Sequence, residues 1–216
     1  MRFRTPRRVA IVGNGGMGEG AAQAIDAADI VIRFNDCRSY GSGGCRTDVV
    51  AVCNTGLPAK TMLGSIGWRT HPAVVAATEI WSVRDSEKFA ELRPVLASSH
   101  PELGDFCDDY TSQFVIFCAA TAKTHIVIDR TVHEAIDHAL LAFEAGRYVV
   151  PSSGMIVIGW VLQKFPDHDI VLAGFDHNGW EWHPFAAERQ LVEHYIAAGR
   201  ISRLDASLPV SPHQGA

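Results

Sequence analysis

The stretch that most constrains the fold lies near the amino terminus. Arg8-Val9-Ala10-Ile11-Val12 is an apolar, β-branched run broken by Gly13-Asn14-Gly15-Gly16, and a second run, Ile30-Val31-Ile32-Arg33-Phe34, ends at Asn35-Asp36. A strand that stops at a glycine-rich turn and resumes after a short helical segment, here residues 19–28, predicts a strand-loop-helix-strand unit with its loop open to a ligand. Gly13, Gly15 and Gly18 satisfy G-x-G-x-x-G in that setting, a pattern with which α/β domains cradle nucleotides. A dinucleotide site calls for an acid at the end of the second strand, yet both strands here end in asparagine, Asn14 and Asn35. A neutral amide offers donors and an acceptor together, which suits a phosphate oxygen and a sugar hydroxyl better than a carboxylate does. The plainer alternative is that Gly15 and Gly16 simply make a tight turn.

The same alternation continues along the chain. Residues 48–54, 79–84, 124–129, 148–150 and 169–174 read as strands. Ser86 reads as the cap of a helix over 87–93, and Thr131-Val132-His133-Glu134 has the form of a capping box for a helix that stops at Gly146. Residues 152–165 form a nearly all-apolar helix and 184–198 a final one, while 101–122 follow no clear period. This order predicts an α/β fold with a single Rossmann-like, doubly wound, mostly parallel sheet and ligands outside the carboxyl ends of its strands. A chain of 216 residues suffices for one well-buried core, so residues 1–210 are expected to form one nucleotide-binding α/β domain and 211–216 a disordered tail.

Charge and cysteine usage narrow the function classes. A net charge of −5 leaves no global basic field, and Arg2, Arg4, Arg7 and Arg8 cluster only at the amino terminus, so a nucleic-acid partner is not expected. No apolar run approaches the roughly 18 residues of a membrane span, and no signal peptide is expected. The five cysteines are odd in number and lack CxxC spacing, which points to reduced thiols, a cytoplasmic chain and no zinc. The ten histidines show no ligand spacing, and Asp167-His168-Asp169 precedes the last strand, where it reads as a turn at the wrong end of the sheet for a metal site.

Two downstream segments complement the glycine loop. Pro151-Ser152-Ser153-Gly154-Met155 sets two hydroxyls and a glycine at the amino end of the apolar helix, either as a simple N-cap or as an anion site made of free N–H groups and the helix dipole. His183 precedes Pro184, which suits a first helical position, so His183 reads as the N-cap beside the unpaired N–H groups of the first turn. The dipole there disfavours imidazolium, so the ring is either a cap or a neutral general base.

Taken in order, these segments resemble the sialylmotifs of the animal-type sialyltransferases, glycosyltransferase family 29. Residues 8–16, Ile25-Asp26, residues 31–35 and Gly44-Cys45-Arg46-Thr47 are similar to the large motif. Residues 148–175 are similar to the small motif, and His183 with Glu188 to the very small motif. Val9 and Phe165 stand where that family pairs two cysteines. The resemblance implies a sialyltransferase-like variant of the GT-A fold. It implies that Asn14, Gly15, Gly16, Asn35, Asn54, Ser152, Ser153 and Gly154 hold the donor, with Glu188 and Thr47 in support. It also implies that His183 deprotonates the acceptor and His177 assists the leaving phosphate. The expected activity is metal-independent, inverting transfer from a CMP-activated sugar, with no cofactor, to a hydroxyl of a glycan or small molecule. Two alternatives stand beside it: an NAD(P)-dependent oxidoreductase, and a non-catalytic nucleotide-binding accessory protein. Small bacterial chains of this kind are also labelled urease-operon accessory proteins, a genomic-context label that implies no chemistry.

Overall fold

The computed structural model describes residues 7–204. The tail expected over 211–216 lies outside the described residues, as do Arg2 and Arg4 of the basic cluster. Seven strands form one sheet: β1 (Arg8–Val12), β2 (Ile30–Phe34), β3 (Val49–Val52), β4 (Glu79–Ser82), β5 (Thr124–Val127), β6 (Asp169–Ala173) and β7 (Ser202–Arg203). They are ordered β5-β4-β3-β2-β1-β6-β7, and every neighbouring pair is parallel.

The helices are α1 (Ala21–Asp26), α2 (Gly56–Gly64), α3 (Ile66–Arg69), α4 (Pro72–Ala76), α5 (Ser86–Ser99), α6 (Thr111–Ala120), α7 (Arg130–Leu140), α8 (Ser153–Lys164) and α9 (Phe185–Ala197). Because side chains alternate along a strand, Val9 and Ile11 face one layer of helices while Ala10 and Val12 face the other. The first layer packs α7, α8 and α9 on Ile32, Phe34, Trp81 and Leu172, around α8, which is apolar on all sides over residues 155–162. On the opposite face, α1 covers Ala10, Val12 and Val171, while α2, α3, α4 and α6 cover Val50, Val52 and Ile80. Burial on both faces is what makes the strands read as continuous apolar runs.

Successive strands step outward from β1 to β5, and the chain then crosses back to lay β6 on the other side of β1. That reversal opens a crevice at the carboxyl ends of β1 and β6, the place where doubly wound sheets bind ligands. Two glycines let the strand ends converge there: a Cβ on Gly13 would lie 2.2 Å from the Gly174 carbonyl oxygen, and Gly174 has φ +66°.

Several local expectations are corrected. Residues 148–150 are not a strand: the Val149 N–H donates to the Trp182 carbonyl, and the run is apolar because Val150 packs with Phe89, Leu96 and Cys107. Asp85, not Ser86, caps α5 by accepting from the Lys88 N–H, and the helix continues through Pro94. Asp129 caps α7, and Glu134 pairs with Arg130 rather than closing a capping box. That helix ends at Leu140, well before Gly146, and passes into a 3-10 turn over Leu141–Phe143. Pro184 takes the N-cap position of α9, which frees His183 for a different bond.

Candidate functional site

A cleft of about 600 Å³ opens at the β1/β6 crevice. It gathers Asn14 and Gly15 after β1, Asn35 after β2, Ser152, Ser153 and Gly154 at the start of α8, and His177, His183 and Glu188. Gly16 is adjacent but not part of the lining. Segments far apart in sequence meet because each follows or precedes an element whose end points to the same side of a parallel sheet.

The two asparagines present opposite chemistry. The Asn14 amide nitrogen donates to the Phe34 carbonyl at 3.2 Å and to Asp36 at 3.0 Å, which leaves its Oδ1 buried without a partner among the described residues. Asn35 is the reverse: its Oδ1 accepts from the Cys53 N–H at 2.8 Å, so its NH₂ is the end left for a ligand. Asn35 sits at φ +49°, with its carbonyl held by the Trp68 indole N–H. Asparagine tolerates that left-handed backbone better than most residues, a structural reason for its presence beside the functional one.

The glycine loop is already engaged. Gly15 N–H donates to the Gly174 carbonyl, and Gly16 N–H donates to the Asp176 carboxylate at 3.3 Å. A Cβ on Gly15 would meet that carboxylate at 2.4 Å, so only glycine lets Asp176 close over the turn. Helix α1 begins at Ala21 behind a left-handed Gly20, which leaves Gly18 in the loop and not at the helix start that a dinucleotide fingerprint uses.

At the start of α8, Ser152 is committed to the fold. Its Oγ accepts from the Met155 N–H and donates to Glu188, and its own N–H donates to the same carboxylate, both at 2.6 Å. The Ser153 and Gly154 amides in the first turn remain as donors at the positive end of a 12-residue helix. Glu188 is 1% exposed, and burial pushes its pKa up despite the two Ser152 bonds.

His183 donates through Nδ1 to the Val150 carbonyl at 2.8 Å, which fixes the tautomer and leaves Nε2 with its lone pair. Burial and, next, the nearby Arg84 guanidinium push its pKa down to about 4, so the ring is neutral at pH 7. Desolvation, rather than the helix dipole, is the main cause of that neutrality. His177 is likewise lowered to about 4, by burial and then by Arg203, whose guanidinium contacts Nε2 at 3.3 Å. That contact leaves the ring proton on Nδ1.

Two expected residues lie elsewhere. Asn54 is fully buried and spends its amide tying the start of α6 to the end of β4, through Arg84 N–H, the Arg84 carbonyl and Thr111 Oγ1. Thr47 is buried against Arg33, whose guanidinium donates to its hydroxyl at 3.0 Å. Neither lines the cleft. Asp169, of the D-x-D triplet, binds Arg8 at the amino end of β6, across the sheet from the site. Among the described residues no group of three His, Cys, Asp or Glu side chains could hold a metal ion, and no helix is long and apolar enough to cross a membrane.

Sequence reasoning missed Arg84, Asp176 and Trp180. Asp176 and Trp180 fall in an irregular loop, and Arg84 closes a strand otherwise read for its apolar residues; the one available signal was a charged residue at a carboxyl strand end.

Fold and cleft together define an α/β protein of the sialyltransferase fold. The chain superimposes on a mammalian sialyltransferase solved in complex with Gal-beta-1-3GalNAc-ortho-nitrophenol, with a TM-score of 0.55 and 17% identity over 93% of this chain and 70% of that one. A second mammalian sialyltransferase structure matches with a TM-score of 0.52 and 16% identity, over 93% of this chain and 69% of that one. No protein-family model matches. The chain is 53% identical over 204 residues to the urease operon 23 kDa accessory protein of Rhizobium meliloti (strain 1021), covering 94% of each, and belongs to that protein's family.

Proposed function

We propose that the cleft binds a CMP-activated sugar and transfers the sugar to an acceptor hydroxyl with inversion. The observation that carries this reading is the single neutral histidine tautomer, Nε2 free, in a cleft that also holds an amide donor from Asn35, an amide acceptor from Asn14 and the open first turn of α8. A nucleoside monophosphate needs this mixture: donors for phosphate oxygens and an acceptor for a ribose hydroxyl. In this assignment the Asn35 NH₂ and the Ser153 and Gly154 amides hold the phosphate, and Asn14 Oδ1 accepts from the ribose.

The step is an in-line displacement. The acceptor hydroxyl passes its proton to His183 Nε2 as its oxygen bonds to the anomeric carbon. The anomeric carbon–oxygen bond to CMP breaks, and its electron pair leaves on the phosphate. Free N–H groups at a helix terminus stabilise that charge where it develops, and in this reading His177, which lines the same cleft, shares it through Nδ1–H. A positioned general base is worth about two to four orders of magnitude in rate.

The oxidoreductase alternative is disfavoured by the late start of α1 and by Asp176 on the glycine turn, which sets a carboxylate where a pyrophosphate would lie. The name of the Rhizobium relative fits a non-catalytic nucleotide-binding role equally well. Release of CMP from CMP-sugars, compared between the wild type and His183→Ala, separates the two. Transfer by the wild type, lost in His183→Ala with CMP affinity kept, supports the enzyme; CMP binding with no turnover of any CMP-sugar by the wild type supports the accessory role.

A further inference from the structure

Beside the main cleft lies a second chamber of about 430 Å³, and the two share Asn35, Ser153, Trp180 and His183. Its walls are apolar, from Leu57, Pro58, Leu103, Phe106 and Trp180, and the Trp180 ring stacks on Phe106 with centroids 5.0 Å apart. Arg84 also lines it and is 1% exposed. The guanidinium donates to the Pro151 carbonyl at 3.0 Å, lies 3.5 Å from Ser153 Oγ, and rests 5.4 Å over the Phe89 ring. Its Nε is buried with no partner, and among the described residues no carboxylate lies within ion-pair distance of it.

A buried cation without a paired anion is costly, and native proteins rarely keep one without a use. Glu188 is near enough to feel Arg84 but spends both oxygens on Ser152. Asp105 also lines the chamber, yet it is solvent-exposed at the rim.

We propose that this chamber is the acceptor site and that it selects a carboxylate-bearing acceptor, with Arg84 binding the carboxylate and Phe106 and Trp180 packing on its ring or apolar body. The inference rests on the transferase reading for the word acceptor, but the anion preference stands on the chamber alone. A carboxylate on Arg84 holds the molecule beside His183, so that a hydroxyl on the same molecule can reach Nε2. It also neutralises a charge that holds the imidazole pKa down, bringing the base nearer its most effective range when the acceptor is in place.

The test is a titration of the full chain with phenylacetate and with its neutral isostere phenylacetamide, with and without CMP, followed by histidine NMR resonances. Phenylacetate is expected to bind at least tenfold more tightly than phenylacetamide, to move the His183 titration upward, and to lose its advantage in Arg84→Met but keep part of it in Arg84→Lys. Equal affinity for the two probes, or no binding of either, overturns the proposal, and wild-type data alone decide this if Arg84→Met does not fold. Carboxylate selectivity without CMP binding keeps the anion site and removes the transferase reading. CMP binding without carboxylate selectivity does the opposite.

Discussion

Removing the Glu188 side chain should loosen the turn on which the proposed donor site is built. Its carboxylate accepts from both the N–H and the hydroxyl of Ser152 at 2.6 Å, and it is 1% exposed. Hydrogen bonds to a charged acceptor contribute about 1.5–3 kcal/mol each. The two would give about 3–6 kcal/mol, of which carboxylate desolvation, visible in its raised pKa, takes back part. We therefore expect Glu188→Ala to cost about 3 kcal/mol, or roughly 6–12 °C in Tm for a chain of this size. Glu188→Gln keeps one acceptor and should cost about half as much. Urea unfolding at pH 7 with unchanged m-values is the assay. In a double-mutant cycle, Ser152→Ala and Glu188→Ala should fall short of additivity by at least about 1 kcal/mol, because both remove the bond between the Ser152 hydroxyl and the Glu188 carboxylate. A Glu188→Ala cost below about 1 kcal/mol, or a strictly additive cycle, refutes the claim that this pair holds the turn.

Other consequences follow from the same geometry. His133, His177 and His183 all have folded pKa values far below the ordinary 6.5, about 3, 4 and 4. The unfolded chain therefore binds more protons between those values, so their contribution to stability is complete above pH 6.5 and is lost as pH falls towards 4. Urea midpoints measured across that window should fall with pH, and the fall should be shallower in His133→Asn, whereas an identical slope in that variant would contradict it. Gly13→Ala places a methyl 2.2 Å from the Gly174 carbonyl oxygen and should cost about 2–3 kcal/mol by thermal or urea unfolding; a neutral effect would mean that the strand ends are not packed this closely. Asp176→Ala frees the Gly16 N–H and removes a negative charge from the phosphate's surroundings, so CMP should bind about threefold to tenfold more tightly at low salt. Weaker binding would make Asp176 a ligand group instead.

What the sequence made legible was whatever depends on period and punctuation. The runs at β1, β2 and β6 read plainly because both of their faces are buried, and α8 does because residues 155–162 are apolar on all sides. Asn14 and Asn35 were legible as polar residues ending such runs at the carboxyl edge, the 152–154 turn as two hydroxyls and a glycine opening an apolar helix, and His183 by the proline that follows it. Residues 148–150 misled because Val150 is buried in a loop, where burial imitates a strand. β7 has only two residues, too few for any period to show. Asn54 was counted among the donor residues through the family resemblance. Only the fold reveals that its amide bridges Arg84 and Thr111 instead. For Arg84 the sequence offered only a charge at a carboxyl strand end, since a guanidinium without a paired carboxylate is defined by the absence of a partner in space and not by any spacing along the chain.

The central claim is that the β1/β6 cleft is a CMP site, and a thermal-shift titration with CMP beside UMP and NAD tests it most directly. At a hundredfold excess over its dissociation constant, CMP should add about 2.7 kcal/mol and raise Tm by roughly 5–10 °C, with little effect from NAD and with the shift lost in Asn35→Ala. Stabilisation by NAD but not by CMP, or a CMP shift indifferent to Asn35, would contradict the account.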